Sequence, residues 1–225
     1  MTAMYRHALV IGKFYPPHRG HHHLVRSAAR IADRVTVVVM ASAAESIPLA
    51  DRVSWMRETH AGEATVRVAG IACDAPIDLE STAVWAAQVA CMRAAIRQVD
   101  ATPIDAVVSS EKYGDELARW FSATHVCVDA ERVAHPVSGT GCRADLAGQW
   151  DQLDEASRAG LATRIVVLGA ESTGTTTVSR ALAHRYRDRG GVWLRTGWVP
   201  EYGRQATHDK LARLRAARPT PRWRS

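Results

Sequence analysis

No apolar run in the 225 residues approaches the roughly 18 needed to cross a bilayer. Met1–Phe14 passes straight into a strand pattern, without the apolar h-region or small-residue cleavage site of a secretory signal. These absences predict a soluble, cytoplasmic chain with no membrane partner. Cysteine is sparse: Cys73, Cys91, Cys127 and Cys142 lie far apart, with no CxxC and no histidine at metal-ligand spacing. Buried thiols in a reducing compartment are expected, and no protein-held metal. No period of roughly 20 to 50 residues recurs, which argues against a solenoid.

Charge of one sign is also missing from most of the chain. The formal net charge of +6 suggests a nucleic-acid partner until it is located. From Arg204 to Ser225 there are seven Lys or Arg against one acid, Asp209, so this tail carries the whole excess. Residues 1–203 are formally neutral and offer no long-range field to collect DNA or RNA, so no nucleic-acid partner is expected.

What is present is 47% apolar sequence arranged in alternating periods. Short β-branched runs predict strands at His7–Ile11, Val35–Met40, Thr65–Ile71, Ala106–Ser109 and His125–Val128, and amphipathic stretches predict helices at Gly20–Asp33, Arg52–His60, Thr82–Val99 and Gly114–Phe121. The alternation is that of an α/β fold with a parallel sheet and crossover helices. The near-continuous apolar run VTVVVM fits a strand covered on both faces. A short helix is expected after Thr140 and a helical connection over Leu146–Ala162.

In such a sheet, ligands gather at the carboxyl ends of the strands. The first strand-to-helix turn has no GxGxxG, and no acid ends the second strand, so a dinucleotide-binding dehydrogenase is excluded. Instead Gly12–His21 reads GKFYPPHRGH. Lys13, His18 and His21 supply a cation and two imidazoles, Gly20 permits close backbone approach, and the helix N-terminus points at the same space. Pro16 and Pro17 restrict the backbone before a ligand arrives. Such a turn suits a triphosphate. His22 and His23, taken alone, read as a surface cluster or an adventitious metal site.

GKFYPPHRGH resembles the GxFxPxHxGH signature of HxGH nucleotidyltransferases, and Val137–Arg143 (VSGTGCR) resembles their second signature, ISSTxxR. Asp51–Met56, Val107–Gly114 and Val128–Arg143 narrow the likeness to the NadR family, which joins a nicotinamide mononucleotide (NMN) adenylyltransferase to a ribosylnicotinamide kinase. The resemblance implies a Rossmann-like doubly wound parallel sheet over residues 1–150. It implies NAD biosynthesis from ATP and NMN, with Mg²⁺ accompanying ATP. His18, His21, Lys13 and Arg143 would be catalytic. Gly12, Phe14, Tyr15, Gly20, Arg52, Trp85, Ser109, Ser110, Tyr113, Asp129, Arg132, Ser138 and Thr140 would bind ATP or NMN, with Trp85, or else Trp55, stacking on the pyridinium unless these rings simply pack in the fold. Another HxGH enzyme acting on phosphopantetheine or a polyol phosphate shares the signatures, and an NAD-sensing regulator is the rival of a different class. A helix-turn-helix module, present in some NadR relatives, has no counterpart ahead of the first strand. The surface leaves the oligomeric state open, a homo-oligomer included.

After a 151–162 helical linker a second pattern begins. Gly169–Thr176, GAESTGTT, fits the phosphate-binding GxxxxGK[ST] except that Thr175 replaces lysine. Gly169, Glu171, Ser172, Thr173, Gly174, Thr175, Thr176 and Thr177 form this candidate P-loop, expected between a strand at VVL and a helix at VSRALAHRY. Resemblance to the kinase fades near Arg204. The expectation is an incomplete, inactive P-loop α/β domain over 163–203, followed by a partly helical or disordered basic tail over 204–225.

Overall fold

The computed structural model describes residues 3–76, 78–170 and 172–216. It divides into two compact units, Met1–Ala162 and Thr163–Ser225. In the first unit the elements run β1 (Tyr5–Gly12), α1 (Arg19–Ile31), β2 (Ala32–Ala41), α2 (Leu49–Thr59), β3 (Val66–Ala72), α3 (Thr82–Val99), β4 (Ala106–Ser109), α4 (Gly114–Phe121), β5 (Thr124–Cys127), α5 (Gly139–Ala144) and α6 (Glu155–Leu161). The five strands form one sheet in the order β3-β2-β1-β4-β5, every pair parallel.

Strand alternation distributes the core over both faces of that sheet. Val10, Val35, Val37, Val39 and Val108 face α1 and α2, meeting Leu24, Val25, Ala28, Val53 and Met56. Leu9, Val38, Ala69 and Val107 face α3 and α4, meeting Val89, Met92, Ile96 and Leu117. The strand order reverses between β1 and β4, and the crevice opens at that reversal, beyond the carboxyl ends of both strands.

The expected helical connection is partly a 3₁₀ turn, Trp150–Gln152, followed by α6. Asp154 caps α6 by accepting from the Ser157 amide at 2.9 Å. Gly160 lies so close to the Trp55 ring that a Cβ there would collide with it, so α6 seals α2 as part of the first unit. Of the four thiols only Cys142 is buried; Cys73 and Cys91 are half-buried, and Cys127, ending the edge strand β5, is exposed.

The second unit contains α7 (Thr175–Arg187), a 3₁₀ turn at Gly191–Arg195 and α8 (Tyr202–Ala216). Residues 164–168, expected as a strand, pair with nothing among the described residues and leave Ile165, Val166 and Leu168 more than half exposed. A buried strand needs neighbours to pair with, and the described residues of this unit supply none. In the expected basic tail, 202–216 is helical, while 217–225 lies outside the described residues.

Candidate active site

β1 ends at Gly12, and residues 13–18 turn the chain into α1. Phe14 adopts a left-handed φ of 46° and is buried beneath the turn. His18 is the extended residue before α1, with φ −149°. One turn on, His21 stacks against it with ring centroids 3.6 Å apart and 25° between planes, and Phe14 packs on His21 at 4.8 Å. The buried Nδ1 atoms of both histidines have no hydrogen-bond partner within the protein. Native structures seldom leave such atoms unpaired unless water or a ligand meets them.

Burial, then the neighbouring His22, lowers the His18 imidazole to about 3. His21 is lowered as well, by burial first and His18 second. Both rings are therefore neutral near pH 7, each with one N–H to donate. A phosphate entering beside them would favour protonation and strengthen both contacts.

This state has a consequence for stability. Between its ordinary value of 6.5 and about 3, His18 binds a proton in the unfolded chain but not in the folded one. The contribution of its neutral burial is thus present above pH 6.5 and lost as pH falls toward 3, with a full size on the order of a few kcal/mol. Thermal unfolding of the nucleotide-free protein should show the midpoint falling across that window, and falling less in His18→Gln. Equal slopes in the two proteins would contradict a neutral buried His18.

The two histidines line a cavity of about 400 Å³, within the range of small-molecule sites. Lys13, Phe14, Tyr15 and Gly20 line it from the first turn, Ser110, Asp129 and Arg132 from beyond β4 and β5, and Ser138, Thr140 and Arg143 from α5 and its cap. Two of its three Lys or Arg side chains are already matched: Lys13 Nζ to Glu45 at 2.8 Å and Arg132 to Glu111 at 2.8 Å. Arg143 instead donates to uncharged oxygens, Tyr15 O at 2.6 Å and Thr140 Oγ1 at 3.1 Å. Its charge stays available to an anion.

The second signature is locked to the first. The Ser138 hydroxyl caps α5, accepting from the Gly141 amide at 3.0 Å. Gly139 passes so near the Tyr15 carbonyl that a Cβ would come within 2.9 Å of it. The Tyr15 ring lies 4.5 Å from both the Arg143 and the Arg52 guanidinium, and hydrogen bonds with Ser46 hold its phenol below the usual range. Asp129, at φ 51°, accepts from the amides of Val133, Ala134 and His135. Burial pushes its carboxyl up, but those donors outweigh it and hold it low.

Five expected binding residues do not line the cavity. Gly12 ends β1, just before the turn. Arg52 is fully buried and donates to Ile47 O, Lys13 O and Glu45, so it holds the turn from behind. Trp85 packs among Leu9, Val38 and Val89 with its indole N–H on Leu79 O at 3.0 Å, in the core and away from any stacking surface, and Trp55 is buried likewise. Tyr113 also packs against that core, and burial pushes its phenol up to about 12. Ser109 joins His125 at 2.9 Å, which joins Asp115 at 2.8 Å. The order is that of a nucleophile, base and acid, yet Ser109 is 3% exposed and reaches no cavity. The array anchors α4 to the sheet.

Glu111 and His135 line the cavity without having been singled out, and so does His23, which the sequence assigns to a surface cluster. His135 was within reach, since it lies in the tract leading to the second signature. His22 corrects the surface reading: it is 2% exposed and bonded to His60 and Asp154. In the second unit, Gly169, Ser172, Thr173 and Gly174 form a turn, with Gly174 at φ 84° capping α7, and Thr175, Thr176 and Thr177 begin that helix. Glu171 lies outside the described residues.

Among the described residues no group of three or more His, Cys, Asp or Glu is placed to hold a metal. The acids at the cavity, Glu111 and Asp129, are occupied by Arg132 and backbone amides. The site therefore fits a divalent cation carried on a triphosphate by phosphate oxygens and water. No described helix is long and apolar enough to cross a membrane.

A five-stranded parallel sheet whose switch point holds stacked imidazoles and a free arginine defines the class. Residues 9–144 match the cytidylyltransferase-like family, and the chain belongs to that family of nucleotidyltransferases. Residues 164–224 match the AAA domain family. More narrowly, the chain is similar to NadR proteins. It is 22% identical over 216 residues to the trifunctional NAD biosynthesis/regulator protein NadR of Salmonella typhimurium strain LT2, covering 90% of this chain and 50% of that protein. The chain thus spans about half the length of this relative. A crystal structure of a NadR protein in complex with NR superposes with a TM-score of 0.62 at 22% identity, over 82% of this chain and 53% of that one. A bifunctional NMN adenylyltransferase/ADP ribose pyrophosphatase from Francisella tularensis gives 0.53 at 15% identity, over 96% and 58%. At these identities the structural likenesses speak to the fold.

Proposed function

We propose that the first unit transfers the adenylyl group of ATP to NMN, giving NAD and pyrophosphate. The observation that carries this reading is the stacked His18–His21 pair, neutral, buried and without protein partners at Nδ1, beside the uncompensated Arg143. An oxygen of the NMN phosphate attacks the α-phosphorus of ATP, the new P–O bond forms, and the bond to the β-phosphate oxygen breaks. The attacking phosphate is already ionised at pH 7, so no general base is needed, and catalysis is positioning plus stabilisation of charge. His18 and His21 donate to phosphate oxygens. Arg143 and Lys13 hold phosphates by charge, with Lys13 exchanging part of its contact with Glu45. Ser138 and Thr140 add hydroxyl donors. Mg²⁺ on the triphosphate supplies further charge neutralisation.

The acceptor is inferred from the relatives, since one is a NadR protein and an NMN adenylyltransferase is among the structural neighbours. Pyrophosphate release should be followed with ATP, Mg²⁺ and NMN, then with nicotinic acid mononucleotide, phosphopantetheine and a polyol phosphate. NAD from NMN is the expected product. Turnover of phosphopantetheine without NAD formation would move the chain to another acceptor within the same family.

For the second unit, Thr175 stands where a P-loop lysine would reach the β- and γ-phosphates. We infer that the turn keeps its backbone cradle but supports no phosphoryl transfer. Incubation with nicotinamide riboside and ATP should give no NMN, and measurable NMN would refute this.

A further inference from the structure

His22 follows the stacked pair in α1 and is shut away from solvent with His60, at 2% and 3% exposure. Three hydrogen bonds run in line through them. His22 Nε2 meets Asp154 Oδ2 at 2.8 Å, His22 Nδ1 meets His60 Nε2 at 3.0 Å, and His60 Nδ1 meets Glu63 Oε2 at 2.9 Å. Each contact needs one proton. The carboxylates at the ends do not supply it. Asp154 also accepts from the Thr59 hydroxyl, the Ser157 amide and the Ser157 hydroxyl, so each of its oxygens meets two donors. Burial pushes its carboxyl up, and those donors with His22 outweigh it and hold it well below the usual range. Glu63 is ionised beside Arg26, 3.0 Å away.

Two neutral imidazoles carry two ring protons, and the three contacts require three. With two, one contact would set a lone pair against a lone pair inside 3 Å. We propose that the buried His22–His60 pair holds one additional proton at neutral pH, and that this charge adds to burial in keeping His18 and His21 neutral. The charges then balance: Arg26 and the pair are positive, Glu63 and Asp154 negative. Losing the proton would leave an uncompensated buried negative charge, which is costly.

His22 acts electrostatically on His18 and His21 of α1, which also feel Arg132 across the cavity, and His135 acts on His18. His22 is the largest charged influence on His18 after burial, and burial lowers His60. With the additional proton held by the pair, each ring donates to its own carboxylate and one ring donates to the other. His22 and His60 are positioning residues that set the protonation of the rings that would touch phosphate. The consequence for turnover rests on the nucleotidyl-transfer reading; the proton count does not.

The test uses the whole nucleotide-free chain and no substrate, so failure of NMN turnover would not touch it. Nitrogen-detected NMR of the imidazoles at pH 7 should show three protected ring N–H protons on His22 and His60 together. Two would overturn the proposal. In His22→Gln the titrations of His18 and His21 should move to higher pH than in the unaltered protein, while staying below the ordinary imidazole range because burial remains. Unmoved titrations in the folded variant would overturn the electrostatic role. If that variant fails to fold, His22→Asn provides the same comparison, and the proton count in the unaltered chain decides the rest.

Discussion

His18→Ala should lower kcat/KM by about 10³-fold while leaving the protein folded, and His21→Ala should behave alike. The size follows from the role: each ring offers a preorganised N–H in a water-poor pocket to charge that grows in the transition state, and removing one such donor costs roughly 10²–10³-fold. The small effect on stability follows from the bonding. The buried Nδ1 of His18 has no protein partner to lose, and the stacking lost with His21 amounts to about 0.5–1.5 kcal/mol. Deleting an unpaired buried polar atom offsets part of that. A binding site built for the fold would show the reverse, with large destabilisation and modest kinetic change. Steady-state kinetics beside thermal unfolding separate the two, and near-normal turnover in both variants would refute the assignment.

Arg52→Met should destabilise the first unit by about 3–5 kcal/mol, the cost of stripping one partner from a buried charge pair. Arg52 is fully buried with Glu45 at 2.7 Å, the Ile47 and Lys13 carbonyls within 3.0 Å, and the Tyr15 ring beneath it. Methionine fills the volume but leaves two carbonyls unpaired and Glu45 with Lys13 as its one cationic partner. Lysine should rescue poorly, because one ammonium cannot reproduce the planar fork. The midpoint of denaturant unfolding reads this directly. Unaltered stability with a raised KM for nucleotide would return Arg52 to a direct contact.

The sheet was legible because its signals are local. VTVVVM declares a strand covered on both faces, and α3, β4 and α4 begin and end where their periodicity does. The phosphate turn was legible for the same reason, since Lys13, His18 and His21 fall within one decapeptide. What escaped depends on residues distant in sequence. His22 looked like part of a surface cluster because its partner Asp154 lies 132 positions away. Arg52 and Trp85 carry the chemistry of nucleotide contacts, and only tertiary packing shows one holding the turn from behind and the other filling the core. The run at 164–168 has β-branched composition, but a strand exists only with neighbours, and none pairs with it among the described residues. Asp129 could be placed near the site but not oriented, because its left-handed backbone and three amide donors arise from the folded loop.

The central claim is attack at the α-phosphorus within the cavity of His18, His21 and Arg143, and positional labelling tests it most directly. With ATP labelled at the α-phosphate, NMN and Mg²⁺, the label should appear in NAD, whereas label at the γ-phosphate should leave entirely as pyrophosphate. Label from the γ-phosphate in an organic product, or no transfer of the α-label to any mononucleotide or phosphate-ester acceptor, would contradict nucleotidyl transfer at this site.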